Sequence, residues 1–471
     1  MSDKIRQSLV RSLHQSTTEM CIAAAGGGSF FISNVLTEPG ASHTVLEAVV
    51  PYSTESLSRY IGRVPEQHCC PRTARYMAMT AFYRALRFVQ SRKAGAVQDF
   101  VNGTETRRTL DVSHENNEVR LYTSTDWMNQ GDLEDYRHLI GVGCTASLAT
   151  NREKKGEYRV HVALQTLRRT VLFSLQLNKN TRRSRYEEEV LVADLILNAV
   201  ETVRQEIERP LATEPVEQDF CTFGTGTTDN FPLNEFLPLN LGADETVHGR
   251  QVIGSPPLID TFFGKSLAVL WRNGKITHLK PREDLPAVPT AAYNPQAEFT
   301  QAVFPGSFNP IHQGHLKMLA LAEEQLGSKV SLEISVCNVD KPPLDYIELE
   351  YRLNEIQNAR PGQAVWLTQT PLFEDKANLF HGTTFTVGAD TLRRFADLRF
   401  YHESTHQLHD VLRMIAFYNC RFLVFARNNQ GTLESLTTLD IPDMLRSLCD
   451  EIPASQFAMD ISSSDIRRRE I

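Results

Sequence analysis

Apolar and polar positions follow two different periods along the chain, and the texture changes twice. Over residues 1–209, short strand-like apolar runs are interleaved with helical periodicity. The region closes on YEEEVLVADLILNAVETVRQEIE (186–208), where apolar residues recur every three or four positions until Pro210 stops the helix. Between 210 and 298 the helical period is lost and Pro, Gly, Thr and Asn become frequent. Only SLAVLWRNGKITHL (266–279) keeps a pattern there: two strand-like runs flank Asn273-Gly274, which predicts a hairpin with a tight primed turn. From 299 to 471 strand and helix alternate again, as in a parallel-sheet domain with helices on both faces. The pattern predicts an α/β chain in three parts: an α/β domain (1–209), a connector with some β structure (210–298) and a Rossmann-like domain (299–471).

Charge narrows the class of partner. The 471 residues carry 49 Lys+Arg against 57 Asp+Glu, a net charge of −8, so the basic excess of a duplex nucleic-acid binder is missing. The balance favours a small-molecule or protein partner. No apolar run reaches about 18 residues, so no membrane-spanning helix is expected. The opening MSDKIRQSLVRSLHQS lacks the apolar stretch of a secretory leader. Eight cysteines, at 21, 69, 70, 144, 221, 337, 420 and 449, form no CxxC pair and no zinc-type spacing. They read as free thiols in a reducing compartment, so a cytoplasmic protein is expected.

The chemistry concentrates in FTQAVFPGSFNPIHQGHLKMLALAEEQLG (299–327). A short apolar strand (302–304) enters a Pro/Gly turn, and a helix then runs until Gly327 stops it. Such a turn offers free backbone N–H groups and the positive end of a helix to an anion. His312 and His315 lie at that helix start, spaced so that both can address one phosphate.

Gly306, Ser307, Phe308, Asn309, His312, Gly314 and His315, in GSFNP-x-H-x-GH, resemble the HxGH signature of the nucleotidyltransferase superfamily. Its members include nicotinamide-mononucleotide adenylyltransferases, phosphopantetheine adenylyltransferases and cytidylyltransferases. FTVGADTLRRF (385–395) is similar to the GAD segment of the nicotinamide-nucleotide members, and ISSSDIRRR (461–469) to their ISSTxIR motif. The resemblance implies catalytic roles for His312 and His315 and nucleotide contacts from the GSFNP residues, Gly314, Gly388 and Asp390. It further implies a grip on the β- and γ-phosphates from Ser463, Ser464 and Arg467. Asp390 at a strand end is also open to a capping role, and Lys341, in KPPLDYIELEYRL (341–353), reads equally as a phosphate contact or a loop lysine.

The implied reaction is transfer of AMP from ATP, with Mg²⁺ bridging the phosphates, to a small phosphorylated acceptor such as nicotinamide or nicotinate mononucleotide. Phe395, Phe400 and Tyr401 are the aromatic candidates for stacking on the acceptor ring. A transferase using ATP or CTP with another acceptor, and a non-catalytic nucleotide sensor or scaffold, are the competing readings.

AAAGGGSFFISNVLTEPGASHTVLEAVVPYS (23–53), TARYMAMTAF (73–82) and GVGCTASLATNREKKGEYRVHVAL (141–164) resemble, in order, the CinA-type domain whose active members deamidate nicotinamide mononucleotide. The resemblance breaks at the chemistry. The nucleophilic serine position falls on Ala25 or Met20, depending on register, and the lysine position on Leu57. A catalytically silent domain is expected, with self-association as the resemblance implies, and with Gly26–Gly28 either holding a phosphate or making a tight turn. His402, His406 and His409 share a helix face, but no carboxylate or cysteine completes a metal site, and they read as solvated.

Overall fold

The computed structural model describes residues 2–93, 133–150, 155–181, 183–208, 228–281, 301–337, 343–401, 403–429 and 432–457. They fall into two compact units. The first comprises 1–218, 224–255 and 340–349, and the second 219–223, 256–339 and 350–471.

The first unit is built on a seven-stranded mixed sheet. Its strands are β1 (Glu19–Ala25), β2 (Val45–Val49), β3 (Leu139–Ser147), β4 (Tyr158–Gln165), β5 (Arg169–Leu177), β6 (Thr228–Asp229) and β7 (Val247–Ile253), in the order β2-β1-β3-β4-β5-β7-β6. The pairs β2–β1 and β1–β3 are parallel and the remainder antiparallel. β1 is buried along its whole length because helices cover both sides of it. One face packs on α1 (Ser2–Gln15), α2 (Ser29–Thr37) and the long helix Arg185–Glu208. The other packs on α3 (Thr54–Tyr60) and α4 (Pro71–Lys93).

The approach of α4 is close enough to require glycine. A Cβ at Gly143 would run into the backbone of Ala74 and Ala78. Gly143→Ala is therefore expected to destabilise the unit by about 1–3 kcal/mol in a denaturant melt. Gly156→Ala, where a Cβ meets nothing within 4 Å, is expected to stay within about 0.5 kcal/mol.

The helix predicted over 186–208 is present as α5 (Arg185–Glu208), but it is buried nearly all round rather than amphipathic. Part of the cover comes from the segment expected to be a connector. Asn198 of α5 exchanges two 2.9 Å hydrogen bonds with the backbone of Leu237, and β6 and β7 extend the first sheet. Its buried carboxylates have partners. Asp194 takes Arg6 at 2.7 Å. Glu189 accepts from Gly28 N–H at 2.9 Å and from Arg185, which also donates to the Gly26 carbonyl. The Gly26–Gly28 turn thus already holds an anion, supplied by its own chain. Met20 and Ala25 are both buried in β1, Leu57 is buried, and Tyr52 is exposed.

Arg75 of α4 is buried with Asp345 and Glu348, at 3.1 and 2.9 Å. Tyr346 bonds to Thr170 and to the Leu167 carbonyl. The stretch 343–349, which follows Lys341, accordingly does structural work in the first unit. The described cysteines are all free.

The second unit carries an eight-stranded sheet. After α6 (Pro256–Phe262) come β8 (Ser266–Arg272), β9 (Lys275–Pro281), β10 (Ala302–Pro305), α7 (Gln313–Leu326), β11 (Ser331–Ser335), α8 (Tyr346–Ala359) and β12 (Val365–Thr368). These are followed by α9 (Phe373–Leu379), β13 (Thr384–Gly388), α10 (Ala389–Phe395), α11 (Thr405–Phe417), β14 (Arg421–Phe425), β15 (Arg427–Asn429), β16 (Thr432–Glu434), α12 (Asp443–Ser447) and β17 (Cys449–Ile452). The order is β17-β14-β13-β10-β11-β12-β8-β9, with β15 and β16 forming a separate hairpin.

From β17 to β12 all pairs are parallel, and this parallel α/β arrangement fits a Rossmann-like fold. The predicted hairpin is β8–β9. Asn273 and Gly274 hold φ of 51° and 78°, the left-handed pair a primed turn demands. β8 adds antiparallel to β12, so this half of the expected connector belongs to the second sheet. Among the described residues, no helix is long and apolar enough to cross a membrane.

Candidate active site

Strand order alone marks a place for a ligand. From β10 the chain winds outward through β11 and β12. It then returns to the other side of β10 with β13 and winds away through β14 and β17. β10 and β13 therefore flank the topological switch point, where parallel sheets open a crevice at their carboxyl ends. The GSFNP turn leaves β10 there, and Gly388-Ala389-Asp390 leaves β13 beside it.

The turn is held by its own packing. Gly306 N–H donates to the Glu333 carbonyl at 2.9 Å, and the Ser307 carbonyl accepts from Arg352 of α8 at 3.0 Å. Phe308 is buried at a left-handed φ of 41°, with its ring 5.3 Å from Phe304 and 5.1 Å from His315. Such a conformation persists in a bulky residue only when the surroundings enforce it. Asn309 is also buried. Gly314 leaves room for the His312 ring, which a Cβ there would approach to 3.0 Å.

His312 caps α7 and His315 follows in its first turn, their rings stacked at 3.7 Å. The His312 backbone N–H donates to His315 Nδ1 at 3.2 Å. That fixes the neutral tautomer of His315 with its proton on Nε2, so even uncharged it presents a donor. His312 Nδ1 is buried and has no partner among the described residues. Burial and the Arg427 charge lower the His312 pKa. Burial first, then His312 and Arg427, push His315 down to about 3. Arg427, just past β14, also donates to Asp390 Oδ2 at 2.7 Å. One guanidinium thus links the aspartate of the GAD segment electrostatically to both histidines.

A bound polyanion favours the protonated imidazole, so binding of pyrophosphate should take up a proton. The uptake is expected to rise as pH falls from neutral, to peak between the bound-state value and the free-site value of about 3, and to decline again as the free site itself protonates. Calorimetry in buffers of different ionisation enthalpy reads it directly, and a buffer-independent heat would contradict this assignment. The sign for stability is the reverse. With its folded pKa depressed, His315 costs nothing above the ordinary imidazole value of 6.5 and subtracts stability as pH falls from there toward about 3.

Of the residues singled out in the sequence, the described structure brings Gly306, Ser307, Phe308, Asn309, His312, Gly314, His315, Gly388 and Asp390 to adjoining strand ends. Lys341, Ser463, Ser464 and Arg467 lie outside the described residues, as does His402. The chain leaves the described part at Phe457, whose ring is 5.2 Å from Phe425 at the end of β14 and 5.8 Å from Lys317 Nζ in α7. Arg427 and Arg352 were not singled out. Arg427 had a readable signal, because it follows the strand-like FLVFA just as GSFNP and GAD follow theirs. Arg352 had none.

Residues 303–469 match the family model of cytidylyltransferase-like domains. The match supports nucleotidyl transfer as the class of activity of this part of the chain. No curated protein matches the chain. Within the cytidylyltransferase-like domain, two of the three aromatic candidates for the acceptor ring are engaged elsewhere, and Phe400 is exposed. Phe395 is in the core against Phe373 and Phe422, and the Tyr401 hydroxyl bonds to the Phe395 carbonyl. Phe400 lies under the Arg394 guanidinium at 5.2 Å. On α11, His406 pairs with Asp410 at 3.0 Å. No group of three metal-ligating side chains occurs among the described residues.

Proposed function

We propose that the second unit transfers AMP from ATP to the phosphate of nicotinamide or nicotinate mononucleotide and releases pyrophosphate. An oxygen of the acceptor phosphate forms the new bond to the α-phosphorus while the bond to the bridging oxygen of pyrophosphate breaks. The observation that carries this reading is the stacked His312–His315 pair on the amino-terminal turn of α7, at the switch point and within the field of Arg427. Such a reaction requires positioned donors and charge neutralisation rather than a protein nucleophile. Mg²⁺, if bound with the nucleotide, would supply further charge neutralisation. His315 Nε2 and His312 donate to the phosphoryl oxygens, and Arg427, braced by Asp390, adds the fixed positive charge. Ser463, Ser464 and Arg467 are assigned to the β- and γ-phosphates and Lys341 to a phosphate contact, on their likeness to the superfamily motifs.

A second reading keeps the reaction and changes the acceptor, with CTP or ATP as donor. It is favoured by the burial of Phe395 in the core and by the tie between the Tyr401 hydroxyl and the Phe395 carbonyl, which leave Phe400, exposed beside Arg394, as the open ring of the three. Pyrophosphate release measured across phosphorylated acceptors, with each nucleotide in turn, separates the two. Release with ATP and a pyridine mononucleotide is expected. Silence with both mononucleotides, in a protein that still binds ATP, would leave only the second reading or a sensor.

For the first unit, the proposal is a CinA-like scaffold without hydrolytic activity. Neither Met20 nor Ala25 offers the hydroxyl that amide hydrolysis through a serine needs.

A further inference from the structure

We propose that the first unit binds the phosphate group of a small metabolite between the amino-terminal end of α4 and the polar face of β3 and β4, on Arg159 and His161. The site is distinct from the Gly26–Gly28 turn, which Glu189 already fills.

Three polar side chains stand in register across the sheet. Thr145 of β3 lies opposite His161 of β4, and His161 opposite Ser174 of β5. Thr145 Oγ1 donates to the His68 carbonyl at 2.8 Å, which places the segment leading into α4 over this row. α4 runs for 23 residues from Pro71, with the Cys70 carbonyl accepting from Ala74 N–H, so its positive end opens here.

Two donors in this place lack acceptors among the described residues. His161 is only 8% exposed. Its Nδ1 is 2.9 Å from Ser174 Oγ, and its Nε2 is buried with no partner. Two residues earlier on the same face, Arg159 donates through Nη2 to the neutral Gln67 at 3.2 Å, and its Nε is buried with no partner. Buried donors are almost always satisfied in native proteins. Two orphans on one strand face, one of them on a guanidinium with a neutral partner, fit an oxyanion. The Ser174 hydroxyl donating to Nδ1 leaves Nε2–H free for it. A phosphate would take Arg159 Nε, His161 Nε2 and the open end of α4 together, in charge-assisted hydrogen bonds. Burial and the Arg159 charge hold His161 down to about 4 in the free protein, a state that a bound anion would reverse.

Cys69 and Cys70 lie half-buried at the edge of this place and report on it. The test is the rate at which a neutral maleimide alkylates these two thiols in the full-length chain, followed by peptide mass spectrometry. It is run with inorganic phosphate, with acetate, and with chloride at matched ionic strength. Phosphate is expected to slow alkylation severalfold. His315→Ala should keep this protection, because it disables only the second-unit site. Arg159→Gln and His161→Gln should each weaken phosphate binding about tenfold or more, the loss of one charge-assisted hydrogen bond. Two substitutions are used so that one folded variant suffices. Equal rates with phosphate and chloride would overturn the proposal. So would protection lost in His315→Ala but kept in Arg159→Gln, or equal protection by acetate.

Discussion

Alanine at position 315 is expected to lower pyrophosphate release by about 10²–10³-fold while leaving the protein folded, the usual cost of deleting one preorganised donor to a reacting phosphoryl group. The expectation follows from how His315 is held. His312 N–H occupies its Nδ1, Phe304 and Phe308 wall its ring at 5.9 and 5.1 Å, and Nε2 is left as the donor. The loss should fall mainly on kcat, because the developing charge appears in the transition state rather than in the bound nucleotide. His315→Asn, which keeps a short donor, should recover part of it. A variant whose KM alone rises would instead make His315 a ground-state binding group.

The largest expected effect on stability comes from Lys376. Its ammonium, on α9, donates to Glu333 Oε1 at 2.7 Å and to the Thr370 carbonyl at 2.6 Å, and both charged side chains are buried. Thr368 supplies Glu333 with a further hydrogen bond. Lys376→Met strands a carboxylate among β11, β12 and α9, and is expected to cost about 3–5 kcal/mol in a denaturant titration. The double change Glu333→Gln with Lys376→Met should recover much of that, since no buried charge then lacks its partner. A single-variant loss below about 1 kcal/mol would show that the pair does not close in solution. Glu333 also accepts Gly306 N–H through its backbone carbonyl, so the same strand that carries the buried charge steadies the GSFNP turn.

What could be read in the sequence was local. GSFNPIHQGH is ten consecutive residues, and its histidines fall at a helix start because the helix begins within the motif itself. Asn273-Gly274 dictates its hairpin because few other pairs tolerate two left-handed residues. The helix over 186–208 was legible from its period, but its nearly complete burial was not. That burial depends on Leu237 and on strands β6 and β7, which return to the first sheet from a segment whose composition reads as a connector. Arg352 and the Glu333–Lys376 pair were illegible for the same reason. Each owes its role to a partner 43 or 45 residues away, and nothing near it in the chain signals the meeting. Asp345, Tyr346 and Glu348, which follow Lys341 in KPPLDYIELEYRL, were illegible in the same way, because their partners Arg75 and Leu167 lie far away in the chain.

The Glu189 carboxylate at the Gly28 amide has a consequence in terms of effective concentration. A tethered group competes with any free anion as though present at millimolar levels or above, and dilution never removes it. A metabolite approaching the Gly26–Gly28 turn must displace a resident that is always there. The turn therefore stays ordered whatever the cell's supply of phosphorylated compounds. The fold of this unit is uncoupled, at this point, from the metabolic state around it.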